Sequence, residues 1–152
     1  MIVLKNIKEG DAVSDISLDV YLYFKGQCRE AMEFYKSIFG GELTVQTYAD
    51  VPGMSSDPAK KDWLMHARLE GGDIKLMASD TDKASPTAAK IDLSLGGDDE
   101  VRMREIFDKL AESGTVQSQL KKEFWGDTFG SLTDKFGVNW MMNISSDSNT
   151  NQ

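Results

Sequence analysis

One short pattern occurs twice in this chain, about half its length apart. An alternating strand pattern ends in Gly26, and the helical stripe after it carries Phe34 and Tyr35. A second strand pattern ends in Gly96-Gly97, and its stripe carries Ile106 and Phe107. Gly97 follows Gly26 by 71 positions and Ile106 follows Phe34 by 72, so the copies keep step through strand and helix. A duplicated βα unit with β-rich remainders implies two similar halves that bury their faces against each other. A site between the halves is expected.

The periodicities fill in the repeat. Ile16, Leu18, Val20, Leu22 and Phe24 alternate with Ser17, Asp19, Tyr21 and Tyr23, which is a strand with one face in a core. Cys28, Ala31, Met32, Tyr35, Ile38 and Phe39 recur at helical spacing, and Gly40-Gly41 supplies the stop. Leu43 to Tyr48 reads as a strand and Val51 to Asp62 as an exposed loop. Trp63 to Leu69 and Ile74 to Ser79 form a hairpin across Gly71-Gly72-Asp73. Asp80 to Ala89 connects the halves. Ile91 to Leu95 opens the second copy, and Asp98, Asp99 and Glu100 place negative charge at a helix N-terminus. Met103, Ile106, Phe107 and Leu110 form that helix's buried stripe, and Gly114 ends it. Strands follow over Thr115 to Lys121, Phe124 to Leu132 and Val138 to Ile144, giving β-α-β-β-β twice. The expected layout is one α+β domain over 14–145, with module one at about 14–80, module two at about 90–145, and a flexible polar tail at 146–152.

Composition narrows the function. The 152 residues fit one domain, and 40% apolar content is globular. Twenty-five acidic against seventeen basic residues leave a net charge of -8, which repels phosphate backbones and anionic membranes. No nucleic-acid or membrane partner is expected. The lone cysteine, Cys28, lies on the apolar helical stripe, so it reads as core and as a sign of a reducing, cytoplasmic setting. The glycine pairs match neither a dinucleotide turn nor a Walker A loop, and no G-x-S-x-G elbow exists.

Alternation also assigns a second face. If Met65, Ala67 and Leu69 face the helix, then Leu64, His66 and Arg68 face a concave side, joined by Asp19, Tyr21 and Tyr23. If Val138, Trp140, Met142 and Ile144 face the helix, Asn139, Met141 and Asn143 line the same side, with Asp92 and Ser94 from the strand that opens the second half. His66, the only histidine, reads either as a half-buried ring bonded to a neighbouring hydroxyl or carboxylate, or as a general base or metal ligand. Arg68 either anchors an anionic ligand or pairs with an acidic neighbour. Trp125 and Phe129 either cap a ligand pocket or fill the end of a barrel. The methionines are adaptable packing.

Tyr21 through Tyr35, Phe39-Gly40-Gly41-Glu42, His66-Ala67, Phe124-Trp125-Gly126 and Thr133 through Trp140 closely resemble the PhnB-like group of the vicinal oxygen chelate superfamily, which includes glyoxalase, bleomycin-resistance and extradiol dioxygenase proteins. The resemblance runs from about Leu18 to Ile144 and implies two βαβββ modules in a cupped, barrel-like mixed sheet with helices outside, a homodimer, and a small-molecule ligand in the cup. In metal-dependent members the resemblance implies ligands on a first strand, a histidine on an inner strand and a glutamate on the last strand. His66 matches the inner strand, the glutamate position falls on or beside Met141, and no histidine stands near Asp19 to Tyr21. A thioether is a poor ligand for the divalent ions concerned. The metal site therefore reads as degenerate, with a divalent metal as the weaker cofactor option and no other cofactor. A demethylubiquinone methyltransferase label carried by some PhnB-like sequences finds no glycine cofactor loop here. The expected function is small-molecule binding through His66, Arg68, Tyr21, Tyr23, Asp19, Trp125, Phe129 and Met141. The alternatives are a metal-dependent lyase, isomerase or dioxygenase, and a drug-sequestering resistance protein.

Overall fold

A computed structural model describes residues 18–54, 57–83 and 91–146. The expected strand start at Ile16 and Ser17, most of the connection between halves and the end of the tail lie outside the described residues.

The repeat is realised as two copies of one path. In the first, β1 (Val20–Phe24), β2 (Glu42–Thr47), β3 (Leu64–Glu70) and β4 (Leu76–Asp80) lie in the order β1-β4-β3-β2. In the second, β5 (Leu93–Gly97), β6 (Thr115–Lys122), β7 (Thr128–Thr133) and β8 (Asn139–Ile144) lie in the order β5-β8-β7-β6. Each opening strand runs parallel to the last strand of its own module, and the remaining pairs are antiparallel. This is the α+β pair of βαβββ modules expected from the pattern. The sheets are cupped rather than closed.

Helix α1 (Cys28–Phe39) matches its stripe to the residue, burying Cys28, Ala31, Met32, Tyr35, Ile38 and Phe39. Gln27 gives its N-terminus no side-chain cap. The buried Asp80 of β4 does so instead, accepting from the backbone N–H groups of Gly26 at 2.7 Å, Cys28 at 3.0 Å and Leu64 at 2.9 Å. A carboxylate there satisfies unpaired donors and complements the helix dipole. Burial, with Asp80 adding to it, pushes the Cys28 thiol up to about 12, against a small opposing effect of Arg29. Helix α2 (Glu100–Ala111) is capped by Asp99, whose side chain accepts from Arg102 N–H at 3.1 Å, and buries Met103, Ile106, Phe107 and Leu110. After it, Gly114 passes so near β7 that a Cβ would stand 2.4 Å from the Thr133 carbonyl oxygen. Only glycine fits there.

The modules join through their helix-bearing sides. Tyr35 and Phe39 of α1 pack on Trp140 of β8 at ring-centroid distances of 5.8 and 5.7 Å, and Phe136 sits among Phe24, Phe34 and Tyr35. Between them lies Asp134, 3% exposed. It accepts from Tyr35 O–H at 2.6 Å, Trp140 Nε1–H at 2.9 Å, and the backbone N–H groups of Phe136 and Val138. Burial first, then the charge and hydrogen bond of Asp134, drive the Tyr35 phenol far above its ordinary range.

Two expectations are revised. The candidate residues do not line a hollow between the halves of one chain, because the modules meet through the apolar residues of their helix-bearing faces. On β3, Leu64 is buried and Met65 half-buried, the reverse of the alternation. The pairing with β2 slips between Gln46 and Thr47, and a bulge of this kind shifts every side chain beyond it by one face.

Candidate functional site

On the first sheet, Val20, Leu22 and Phe24 turn to the core, so Tyr21 and Tyr23 stand on the helix-free face. Parallel pairing sets Tyr21 beside Met77 and Tyr23 beside Ser79; across β3, Arg68 lies beside Met77 and His66 beside Gln46. The Tyr21 hydroxyl lies 3.1 Å from His66 Nδ1, and the two rings tilt together at 5.8 Å. Tyr23 packs on Tyr21 at 5.1 Å and is 63% exposed. When the Tyr21 O–H donates to Nδ1, the proton of neutral imidazole resides on Nε2, which becomes a donor for a ligand lying on this face.

The charged candidates are engaged. Arg68 forms an ion pair with Glu70 at 2.8 Å, the simpler of its two readings. Asp19 pairs with Lys75 at 2.6 Å. The surface around His66 is thus aromatic and hydroxyl-bearing, with its formal charges balanced by near neighbours.

The remaining candidates lie on the second sheet. Phe129 is half-buried on β7, beside Asn143, and Met141 is half-buried on β8 between Ser94 and Ser131. Trp125 touches Phe129 edge-on at 6.3 Å and Phe124 at 4.9 Å, with Phe124 96% exposed. Phe124 to Asp127 form a turn, not the strand expected there. Glu123 N–H donates to Asp127 O and Gly126, at φ 100°, donates to Glu123 O. Asp127 accepts from Asn143 Nδ2 and the Ser146 N–H, bonds that hold its carboxyl below the usual range. The structure therefore brings Asp19, Tyr21, Tyr23, His66 and Arg68 together on one sheet, and Trp125, Phe129 and Met141 together on the other, without joining the two groups.

Among the described residues a divalent ion finds no fitting donor set around His66. Among the described residues, no group of three or more His, Cys, Asp or Glu side chains could hold a metal. His66 is flanked by a phenol and a carboxamide, neither of which supplies the charge that such ions need.

Two cavities lie elsewhere. One of about 240 Å³, on the second sheet, is lined by Asp92, Gln117, Ser131, Leu132, Asn139 and Trp140. Another of about 260 Å³ sits at the joint, with Phe39, Ile74 and Met103 among its apolar walls and the Arg102–Asp73 ion pair at its rim. Neither includes His66. Gln117 and Ser131 were not singled out by the pattern of residues, because a bulge in β6 between Val116 and Ser118 places Gln117.

Comparison with known proteins gives a consistent result. The model of the Glyoxalase/Bleomycin resistance protein/Dioxygenase superfamily matches residues 17–142. Protein YjdN of Escherichia coli K12 is 30% identical over 139 residues, covering 84% of this chain and 94% of YjdN. The crystal structure of PA1353 from Pseudomonas aeruginosa is 40% identical with a TM-score of 0.73, covering 86% of this chain and all of the other. A PhnB protein from Bacillus cereus, described as a putative 3-demethylubiquinone-9 3-methyltransferase, shares the fold at 24% identity and a TM-score of 0.71, over 86% of this chain and all of that one.

Proposed function

For a chain that belongs to the Glyoxalase/Bleomycin resistance protein/Dioxygenase superfamily, we propose binding of a small polar or aromatic molecule on the helix-free face of the first module, without a tightly held metal. The observation that carries this reading is the Tyr21–His66 pair on an open, half-exposed aromatic surface, beside which no metal-holding group of His, Cys, Asp or Glu stands among the described residues. Tyr21 and Tyr23 offer ring faces, and the imidazole offers one directed donor. Arg68, Asp19, Trp125, Phe129 and Met141 complete the candidate set.

The functional unit is one domain of about 14–145 in a cytoplasmic homodimer. Its support is the pattern of exposed apolar residues on strand starts, outer faces and the β6–β7 tip. Leu18 is 101% exposed, Ile91 72%, Phe124 96% and Trp125 51%, surfaces that a second copy covers at little cost. In that arrangement the outer face of one copy closes over the outer face of another, which restores the cup that a single chain leaves open. Light scattering on the eluting protein should give twice the 16.9 kDa chain mass.

Thermal-shift measurements across a panel of metabolites and antibiotics test the ligand reading. A ligand that raises the midpoint in the native protein, but not in Tyr21→Phe or His66→Ala, supports it. Stoichiometric zinc, nickel, manganese or iron bound through His66 and detected by mass spectrometry overturns it.

A further inference from the structure

We infer that the cavity on the second sheet is a separate site for a small polyhydroxylated amine, whose ammonium sits on Asp92 where the first module places its own Lys75. This site shares no residue with the Tyr21–His66 pair, although in a dimer that closes outer face over outer face it lines the same cup, and the titrations below tell the two readings apart.

The internal repeat supplies the control. Val20 pairs with Leu76 between β1 and β4, and Leu93 pairs with Trp140 between β5 and β8, so the residues that precede these pairs are counterparts. Asp19 and Lys75 in the first module thus correspond to Asp92 and Asn139 in the second. Leu69 pairs with Leu76 and Leu132 with Trp140, so Arg68 and Glu70 correspond to Ser131 and Thr133. In the first module this corner is filled from within by two ion pairs, Asp19–Lys75 and Arg68–Glu70. In the second, the carboxylate is kept while its cation is replaced by an amide and the other pair by two hydroxyls. Among the described residues Asp92 has no hydrogen bond or ion pair. A cavity of about 240 Å³ opens beside it.

The rest of the lining is directed. Gln117 Nε2 donates to Thr133 Oγ1 at 2.7 Å, and that hydroxyl donates onward to Asn139 Oδ1 at 2.7 Å. With the amides so oriented, the single hydroxyl proton of Thr133 goes to Asn139 while its oxygen accepts from Gln117. This leaves Gln117 Oε1 as an acceptor and Asn139 Nδ2 as a donor, and Ser131 adds a hydroxyl to the same lining. One carboxylate, alternating neutral donors and acceptors, and no lysine or arginine in the lining match an ammonium flanked by hydroxyls. The same set rejects an anion, more so in a chain of net charge -8.

Titration of the isotope-labelled protein with glucosamine, glucose and glucuronate, followed by amide resonances including the Asn139 side chain, tests the assignment. Glucosamine should shift these resonances at millimolar concentration, glucose about fivefold more weakly, and glucuronate not at all. Asp92→Asn should bring glucosamine down to the glucose level. Asn139→Lys should rebuild the internal pair of the first module and abolish glucosamine binding while keeping the native spectrum. The site is disproved if glucosamine causes no shift, if glucuronate binds as well, or if either variant binds like the native protein. Tyr21→Phe should leave all three titrations unchanged, which separates failure here from failure of the first-module reading.

Discussion

The two modules follow the same path with the same strand order, yet their two faces have diverged to different extents. The helix-bearing faces remain alike, a continuous apolar cluster from Phe24 and Tyr35 to Trp140 and Ile144. The helix-free faces differ in kind. The first is tyrosine, imidazole and paired charges; the second is amide and hydroxyl, with an aromatic tip at Phe124 and Trp125. A residue on the inner face must fit both its own helix and the other module, and dense packing penalises change there. An outer residue answers to no such neighbour within the chain, so duplication leaves that face free to acquire different ligands.

The buried carboxylates break the symmetry and give the largest expected effect. Asp80 serves backbone donors within one module, whereas Asp134 serves side chains from both. Asp134→Ala strands the Tyr35 hydroxyl and Trp140 indole and should cost about 3–5 kcal/mol, against about 2–3 kcal/mol for Asp80→Ala, read from urea unfolding midpoints. A larger loss at Asp80 would show that the joint depends on packing alone.

Alkaline pH comes next. Cys28 keeps its proton in the folded chain up to about 12, against 9.0 ordinarily, so the folded state binds more protons than the unfolded one across that window. Stability should be complete below pH 9 and fall as pH rises toward 12, by up to about 4 kcal/mol, with Tyr35 acting in the same direction above its usual range. Cys28→Ala should flatten the slope from pH 9 upward in chemical-denaturation series; an unchanged slope would assign the whole effect to Tyr35.

Smaller changes probe the outer faces. Tyr21→Phe removes one half-buried hydrogen bond and should lower stability by about 1 kcal/mol. Arg68→Ala breaks a pair exposed at both ends and should change it by less than about 1 kcal/mol. If Arg68→Ala proves the more damaging in calorimetry, the first face is held by charge rather than by its rings.

The inner half of this architecture is readable in the residues, the outer half much less so. Helix α1 is legible because six buried side chains recur at one spacing, and β8 because Trp140, Met142 and Ile144 alternate without interruption. The bulge that turns Leu64 inward leaves no trace in composition, since Leu64 and Met65 are both apolar. Phe124 and Trp125 look like strand residues, and only the left-handed Gly126 makes them a turn. Asp80 reads as the start of a connection, because its partners at Gly26, Cys28 and Leu64 are backbone groups of distant segments. Which sides of the modules meet is equally hidden, since a helix-coated sheet and an open one can carry the same alternation. For His66 the pattern leaves open a ring bonded to a hydroxyl or carboxylate, a general base or a metal ligand, and only the folded arrangement brings Tyr21 to it.

The parallel pairing of each opening strand has a consequence for biosynthesis. Val20 finds its neighbour in Leu76, and Leu93 in Trp140, so a strand made early must wait for one translated much later. Helix α1 and the β2–β3 hairpin can form as they leave the ribosome, while β1 remains a loose end until β4 emerges to receive it on one side. Each module is thus completed in a single late step, and the last residues of β4 and β8 decide when a nascent half stops being sticky.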